Sequence, residues 1–335
     1  MISGATDRIY RRPPQLKLAM DLTSEQAGAM QAWAEAVPTL HFLDICVAAI
    51  PRLSPKAIAQ SPRKATWRRR LRRLDRPHNS VSYLFALIER ASEVQSKLNG
   101  ADLEREILKD VAALRSFFKH ARVLEPDDFL IGYLRKLRGV PHEVSRPSYL
   151  AFLEEMNGRH QLWNSVKPSE RFHKAQEIVE MAESLSIAKN HPVVTITLAC
   201  LYGNGAAKHM MKFKQDPDQF KVQNALSDIM VISRFARHKL EIEEDARKGL
   251  GRYAQTRFMT DDDGLIEVLS CFEAISVRFE DAGEAQNIWT EMTVHLQRLL
   301  SDLTVANDDV EGDLNPDDQA KIAEYNRICE LVGLA

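Results

Sequence analysis

Two hydrophobic rhythms run along this chain, one made of short continuous runs and the other spaced for helices. Thr39-Leu40-His41-Phe42-Leu43-Asp44-Ile45-Cys46-Val47 is an apolar run behind Pro38, and it predicts a buried strand over 39–45 that meets a single aspartate. Gln255-Thr256-Arg257-Phe258-Met259-Thr260 predicts a second strand, running into Asp261-Asp262-Asp263-Gly264, and a short third one is expected near Ile275–Phe279. Elsewhere the helical period dominates. Leu103, Ile107, Val111, Leu114 and Phe118 form one core-facing stripe, and Val222, Ala225, Leu226, Ile229, Val231, Ile232 and Phe235 predict an amphipathic helix over 222–237. Pro126, Pro141, Pro147 and Pro168 punctuate helices expected near 127–138, 148–156 and 169–187.

The turn and cap residues complete the outline. Residues 1–22 are irregular, and Thr23-Ser24-Glu25-Gln26 then has the form of a capping box opening a helix to Ala36. Ser54-Pro55, Ser61-Pro62 and Asn315-Pro316 each read as an N-cap with proline at the first helical position. Pro77-His78-Asn79-Ser80 is a turn into the apolar segment 81–90, which delivers Glu89 before a helix stop at Asn99-Gly100. The run Val193 to Leu201 mixes strand-forming residues with helix caps, and the caps favour a buried helix closed by Gly203. Further helices are expected near 264–271 and over 283–301. Gly203-Asn204-Gly205-Ala206-Ala207-Lys208 fits neither the dinucleotide fingerprint nor the Walker spacing.

Composition narrows the class. With 44% hydrophobic and 27% charged residues over 335 positions, the chain reads as globular and is long enough for one elaborated domain or two. No apolar run reaches the length of a membrane span, and no signal-peptide core precedes the first helix, so no membrane partner is expected. Cys46, Cys200, Cys271 and Cys329 are scattered, which suits a reducing cytoplasm. The net charge of -2 conceals an asymmetry. Nine Lys or Arg stand against Asp75 alone between Lys56 and Arg76, whereas seven acids and no Lys or Arg lie between Asp302 and Asp318. In the helix that carries Arg68, Arg69, Arg70, Arg72 and Arg73, only Trp67, Leu71 and Leu74 form an anchoring stripe, so the cations are free to meet phosphate.

A carboxylate beside an apolar run is costly unless it lies at the carboxyl edge of the sheet, where open α/β folds place their sites. Four positions share that setting: Asp44 after the first strand, Glu89 on the next helix, Asp228 beside the apolar face of a later helix, and Asp262 after Thr260. Their order and context, in Phe42-Leu43-Asp44-Ile45-Cys46, Ser82 to Glu89, Asn224-Ala225-Leu226-Ser227-Asp228 and Phe258 to Asp262, resembles the PIN-domain nuclease family. The resemblance implies an α/β fold, a Rossmann-like parallel sheet, covering about 37–90 and 190–280. A large all-helical insertion at 100–190 would divide it, after an N-terminal arm and helix (1–36) and a first half with the basic helix (37–99). The second half would span 191–282, and a helical extension with an acidic linker 283–335. Cys46 departs from the family, whose members usually carry Asn or a hydroxyl residue two places after the first aspartate.

That resemblance implies a nuclease that needs Mg²⁺ or Mn²⁺, on RNA in preference to DNA. Asp44, Glu89 and Asp228 would hold metal, with Asp262 completing the set and Thr260 orienting a water; Asp261 and Asp263 are alternates to Asp262, and Glu154 or Glu155 to Glu89. Converging carboxylates raise one another's pKa until cations neutralise them, and hard oxygen donors select those two ions. Two other readings stay open. Arg115 and His120 have the Arg-x4-His spacing of the metal-independent HEPN ribonucleases, but on one continuous helix they would diverge by about 140°. A non-catalytic protein that binds nucleic acid or another protein is the second. A partner or inhibitory protein and a homodimer are both compatible with the sequence.

Overall fold

Strand β1 (Thr39–Leu43) is buried at all five positions, as a strand inside a parallel sheet has to be. The computed structural model describes residues 22–92, 100–138, 146–282, 285–305 and 315–334. Helix α1 (Ser24–Ala36) opens on the expected capping box, in which Thr23 and Gln26 satisfy each other's backbone N–H. After β1 come α2 (Ile45–Ala48), α3 (Pro55–Ala59) and the basic helix α4 (Pro62–Leu74), with Ser54 and Ser61 as the caps of the last two. Then follow β2 (Ser80–Ser82), α5 (Leu84–Ser92), α6 (Gly100–Phe117), β3 (Arg122–Val123) and α7 (Asp127–Leu137). The long return to the sheet passes through α8 (Arg146–Gly158), α9 (Pro168–Ser184), α10 (Pro192–Leu201), α11 (Gly205–Met211) and α12 (Val222–Arg247). It ends in β4 (Gln255–Met259) and α13 (Asp263–Leu269).

The four strands form one parallel sheet in the order β3-β2-β1-β4, so the fold is mixed α/β. Phe42 pairs with Ser82 on one side of β1 and with Phe258 on the other. Because every pairing is parallel, β1, β2 and β4 all deliver their next residue to the same edge. One face of the sheet carries Phe42, Phe85, Phe235 and Phe258, with the Phe42 and Phe85 rings stacked at 4.7 Å. The other face packs Leu43, Val81 and Tyr83 against Trp67 and Leu71 of α4 and the stripe Leu103, Ile107, Val111, Leu114 and Phe118, which is buried as expected. A separate helical core gathers α8 to α11 around Tyr202, and its part of α12 contributes Leu226 and Ile229. Helix α12 thus belongs to both cores. All ten residues of α10 are buried, which settles the ambiguous run as a helix.

Several expectations are corrected. The described residues of 283–301 do not form one helix: β5 (Phe272–Ala282) and β6 (Ala285–Val294) form an antiparallel hairpin, and α14 (Leu296–Leu299) follows it. Ile288, Met292, Leu296 and Leu299 have helical spacing, but strand-forming Ile288, Trp289, Thr290, Thr293 and Val294 decide the first part. Among the described residues, the α-helices of the C-terminal extension are α14 and α15 (Pro316–Leu331). The segment expected as an all-helical insertion contains β3, an edge strand of the sheet, and begins with α6, whose apolar stripe packs against the sheet's face. Ser80 opens a strand and not a turn, α12 runs ten residues beyond the expected 237, and Gly100 begins the next described helix. Part of the stop expected at Asn99-Gly100, and part of the acidic linker, lie outside the described residues.

One buried carboxylate, paired with a partly exposed arginine, anchors the α6 side. Asp110 is 1% exposed and accepts from Arg52 at 2.7 Å and from the Tyr83 hydroxyl at 2.9 Å, with Arg90 at 3.8 Å. Losing one partner of such a carboxylate leaves an undercompensated buried charge. Arg52→Ala is therefore expected to lower the unfolding free energy by about 3 kcal/mol in urea denaturation. Lys109→Ala, which removes the exposed partner of Glu106 at 2.8 Å, should change it little.

Candidate active site

The first residue beyond β1 is Asp44, and the first beyond β4 is Thr260; the sheet register sets them side by side. Asp44 caps α2, with Oδ1 accepting from the Ile45 N–H at 2.7 Å. Its Oδ2 accepts from the Thr260 hydroxyl and from the Cys46 thiol at 3.1 Å. Thr260 is fully buried, and its Oγ also accepts from the Asp262 N–H at 3.0 Å. The hydroxyl expected to orient water thus holds two acids. Cys46 accepts from the Asp261 N–H at 3.2 Å. Burial first, and then the Asp44 charge, push its thiol pKa far up, so Cys46 serves as a neutral donor at the position where the family resemblance expects Asn or a hydroxyl.

Asp44, Glu89, Asp228, Asp261 and Asp262 line one cleft of about 600 Å³ at this edge. Glu154 and Glu155, on α8, are not among its lining residues. Asp262 caps α13, accepting from the Leu265 N–H at 3.0 Å, and its other oxygen faces Lys212 at 3.4 Å. Asp261 turns to the basic helix instead, accepting from Arg63 and from the Trp67 indole N–H, both at 2.5 Å. Asp263 is mostly exposed and pairs with Arg63 at 3.1 Å. The three consecutive acids are thereby separated into three roles. Among the described residues, no group of three or more His, Cys, Asp or Glu is gathered tightly enough to hold a metal ion.

Asp228 is the electrostatic centre. Burial chiefly, then the charge of Asp44 and that of Asp262, push its pKa up to about 7, against the pull of Lys212. The cleft's other cations were not legible as site residues: Arg63, Lys212, Lys214 and Lys221 all line it. Lysine and arginine at a surface carry no periodic signal, although the spacing of Lys212, Lys214 and Lys221 does place a second basic run ahead of α12.

Helical geometry divides the arginines of α4 by face. Arg63, Trp67 and Arg70 share the side turned to Asp261, with Arg70 stacked on Trp67 at 4.8 Å. Arg69 and Arg73 are exposed, and Arg68 and Arg72 lie on the side away from Arg63. Among the described residues, no acid pairs with any of Arg68, Arg69, Arg70, Arg72 and Arg73, whereas Asp302 pairs with Arg171 and Asp317 with Lys321. In the HEPN-like spacing, α6 does end between Arg115 and His120. Yet Arg115 is held by Asp127 at 2.6 Å and by the Glu125 carbonyl at 2.7 Å.

The perturbed carboxyl has a pH signature. In the unfolded chain Asp228 ionises near 3.8, whereas in the folded chain it keeps its proton up to about 7. The folded state binds the extra proton in that window, so stability falls as pH rises from about 4 to about 7. Asp228→Asn has no such proton to lose. It should match the parent at pH 4 and exceed it at pH 8 by on the order of 2 kcal/mol in urea titrations. A difference that is the same at both pH values would remove this assignment.

No protein-family model matches the chain, and no curated protein or solved structure matches it either.

Proposed function

We propose that the chain is a PIN-like nuclease that cleaves phosphodiester bonds, of RNA in preference to DNA, with Mg²⁺ or Mn²⁺. The observation that carries this reading is the convergence of Asp44, Glu89, Asp228 and Asp262, from four separate segments, on one cleft at the carboxyl edge of a parallel sheet. The donor set has the right chemistry, being all carboxylate oxygen, with Asp228 held in a state that a nearby cation would relieve. Asp44, Glu89 and Asp228, spread along the cleft rather than gathered on one point, are the residues that would close on the ion, with Asp262 completing the set. When bound, it would supply charge neutralisation and activation of a water for in-line attack on phosphorus.

The chain's own residues have the remaining tasks. Thr260 and Cys46 fix the Asp44 carboxylate by donating to Oδ2, so that it does not swing away from its neighbours. Arg63, Lys214 and Lys221 line a cleft with acids, which suits a polyanion whose backbone lies on the cations. Lys212 now stands beside Asp262, and a second reading follows from it: a protein in which lysine replaces the ion would bind nucleic acid without cutting it.

Three measurements separate these readings. Cleavage of single-stranded RNA should vanish with EDTA, return with Mn²⁺, and fall by about 10² or more in Asp44→Asn and Asp228→Asn. Mn²⁺ should also raise the melting temperature of the parent and not that of Asp228→Asn, a readout independent of turnover. Protein that binds RNA yet cuts neither RNA nor DNA with Mn²⁺ would leave the binding reading. Cleavage that survives EDTA and Asp44→Asn but is lost in Arg115→Ala or His120→Ala would transfer the activity to those two residues.

The arginine helix has its own test. Replacing Arg69, Arg70 and Arg73 by alanine should weaken RNA binding and flatten its dependence on salt by roughly one slope unit for each phosphate that is no longer neutralised. An unchanged slope would make them a solvated face.

A further inference from the structure

On the side of α4 turned away from Arg63 lies a second cleft of about 600 Å³, lined by Arg68, Arg72, Asp75, Ser116, Phe117 and Lys119 among others. Arg68 and Arg72 are one helical turn apart and project together. The Arg68 guanidinium lies over the Phe117 ring at 5.5 Å, so its plane is already held. Its Nη1 is buried and has no acceptor among the described residues. A charged donor in that condition costs free energy that an incoming anion would recover.

The one acid present does not cancel these charges at close range. Asp75, the C-cap of α4, turns its carboxylate to the backbone N–H groups of Lys119 at 3.0 Å, His120 at 2.7 Å and Ala121 at 2.9 Å. That clamp draws the chain after α6 against α4 and sets Lys119 beside the two arginines. Three cations against one carboxylate leave two positive charges, next to the Ser116 hydroxyl. A phosphomonoester carries about -1.5 to -2 at neutral pH, a closer match than the single charge of a backbone diester. Guanidinium forks bind such oxygens in pairs.

We propose that this cleft is a phosphomonoester site, distinct from the acidic cleft and from a general grip on the nucleic-acid backbone. The phosphate could belong to the end of a strand or to a free mononucleotide, and the two sources give different results. The full chain in EDTA, where no metal-dependent cutting occurs, is titrated with one oligoribonucleotide bearing either a 5′-phosphate or a 5′-hydroxyl. For a strand end, the phosphorylated form should bind at least about tenfold more tightly. That preference should drop to about one in Arg72→Gln and Lys119→Gln, both of which alter exposed side chains. Lys109→Gln, which removes one positive charge from α6 away from this cleft, should keep it. For a free nucleotide, the two oligonucleotides bind alike while AMP or inorganic phosphate binds the parent and not Arg72→Gln. The proposal is overturned if the oligonucleotides bind alike and neither AMP nor phosphate binds. It is equally overturned if a preference exists that both variants retain. Because the readout needs neither metal nor turnover, its failure leaves the nuclease reading standing, and loss of that reading leaves this site standing.

Discussion

Two parallel strands that stop side by side impose the central constraint of this protein. The residues following Leu43 and Met259 have to leave the sheet together, at an edge too crowded to hydrate each of them fully. Asp44 lies there with one oxygen on its own helix cap and the other on Thr260 and Cys46. Those bonds stitch the end of β1 to the end of β4, and through the Thr260 oxygen they also fix the Asp262 backbone. The acidic edge is therefore built by the same hydrogen bonds that terminate the strands. Glu89 arrives because α5 follows β2, the strand next to β1, and Asp228 because α12 spans the sheet core and the helical core.

What could be read in the sequence is what had a period or an unusual neighbour. Strands β1 and β4 announced themselves because their apolar runs break at acids, and α10 because Pro192 and Gly203 bracket it. Strands β2 and β3 have three and two residues, too few to show alternation, so β3 disappeared into a stretch that otherwise reads as helical. The first strand of the hairpin after α13 was legible near Ile275–Phe279, but the second, β6, was hidden for the opposite reason, since its apolar positions imitate a helix until β-branched pairing overrides them. The acids of the cleft were legible one by one, through the apolar context that makes each expensive. Their neutralisers were not. Arg63 is separated from Asp261 by about two hundred positions, and only the fold makes them partners.

The run of acids after β4 shows how much detail lies beyond composition. Asp261, Asp262 and Asp263 are chemically identical, yet backbone direction sends the first to Arg63 and Trp67, uses the second as a helix cap, and leaves the third mostly in solvent. A single residue of register decides whether a carboxylate is structural or available. The same holds on α4, where consecutive arginines face the acidic cleft, the solvent or the second cleft according to a turn of about 100° each.

Within the acidic cleft, Lys212 is the cation paired with Asp262. It sits at the C-cap of α11 with φ of 54°, a left-handed conformation that costs a lysine something of order 1 kcal/mol. From there its amine is more than half exposed and 3.4 Å from Asp262, close enough to offset charge and loose enough to be displaced. Asp228 gains from that amine only in part, since its pKa stays raised even with Lys212 present. A cluster that kept lysine as its permanent counter-ion would have little reason to hold a third carboxylate whose pKa is pushed up to about 7. A cation stronger than Lys212 would relieve Asp228, and that is what supports the proposed nuclease reading over simple binding.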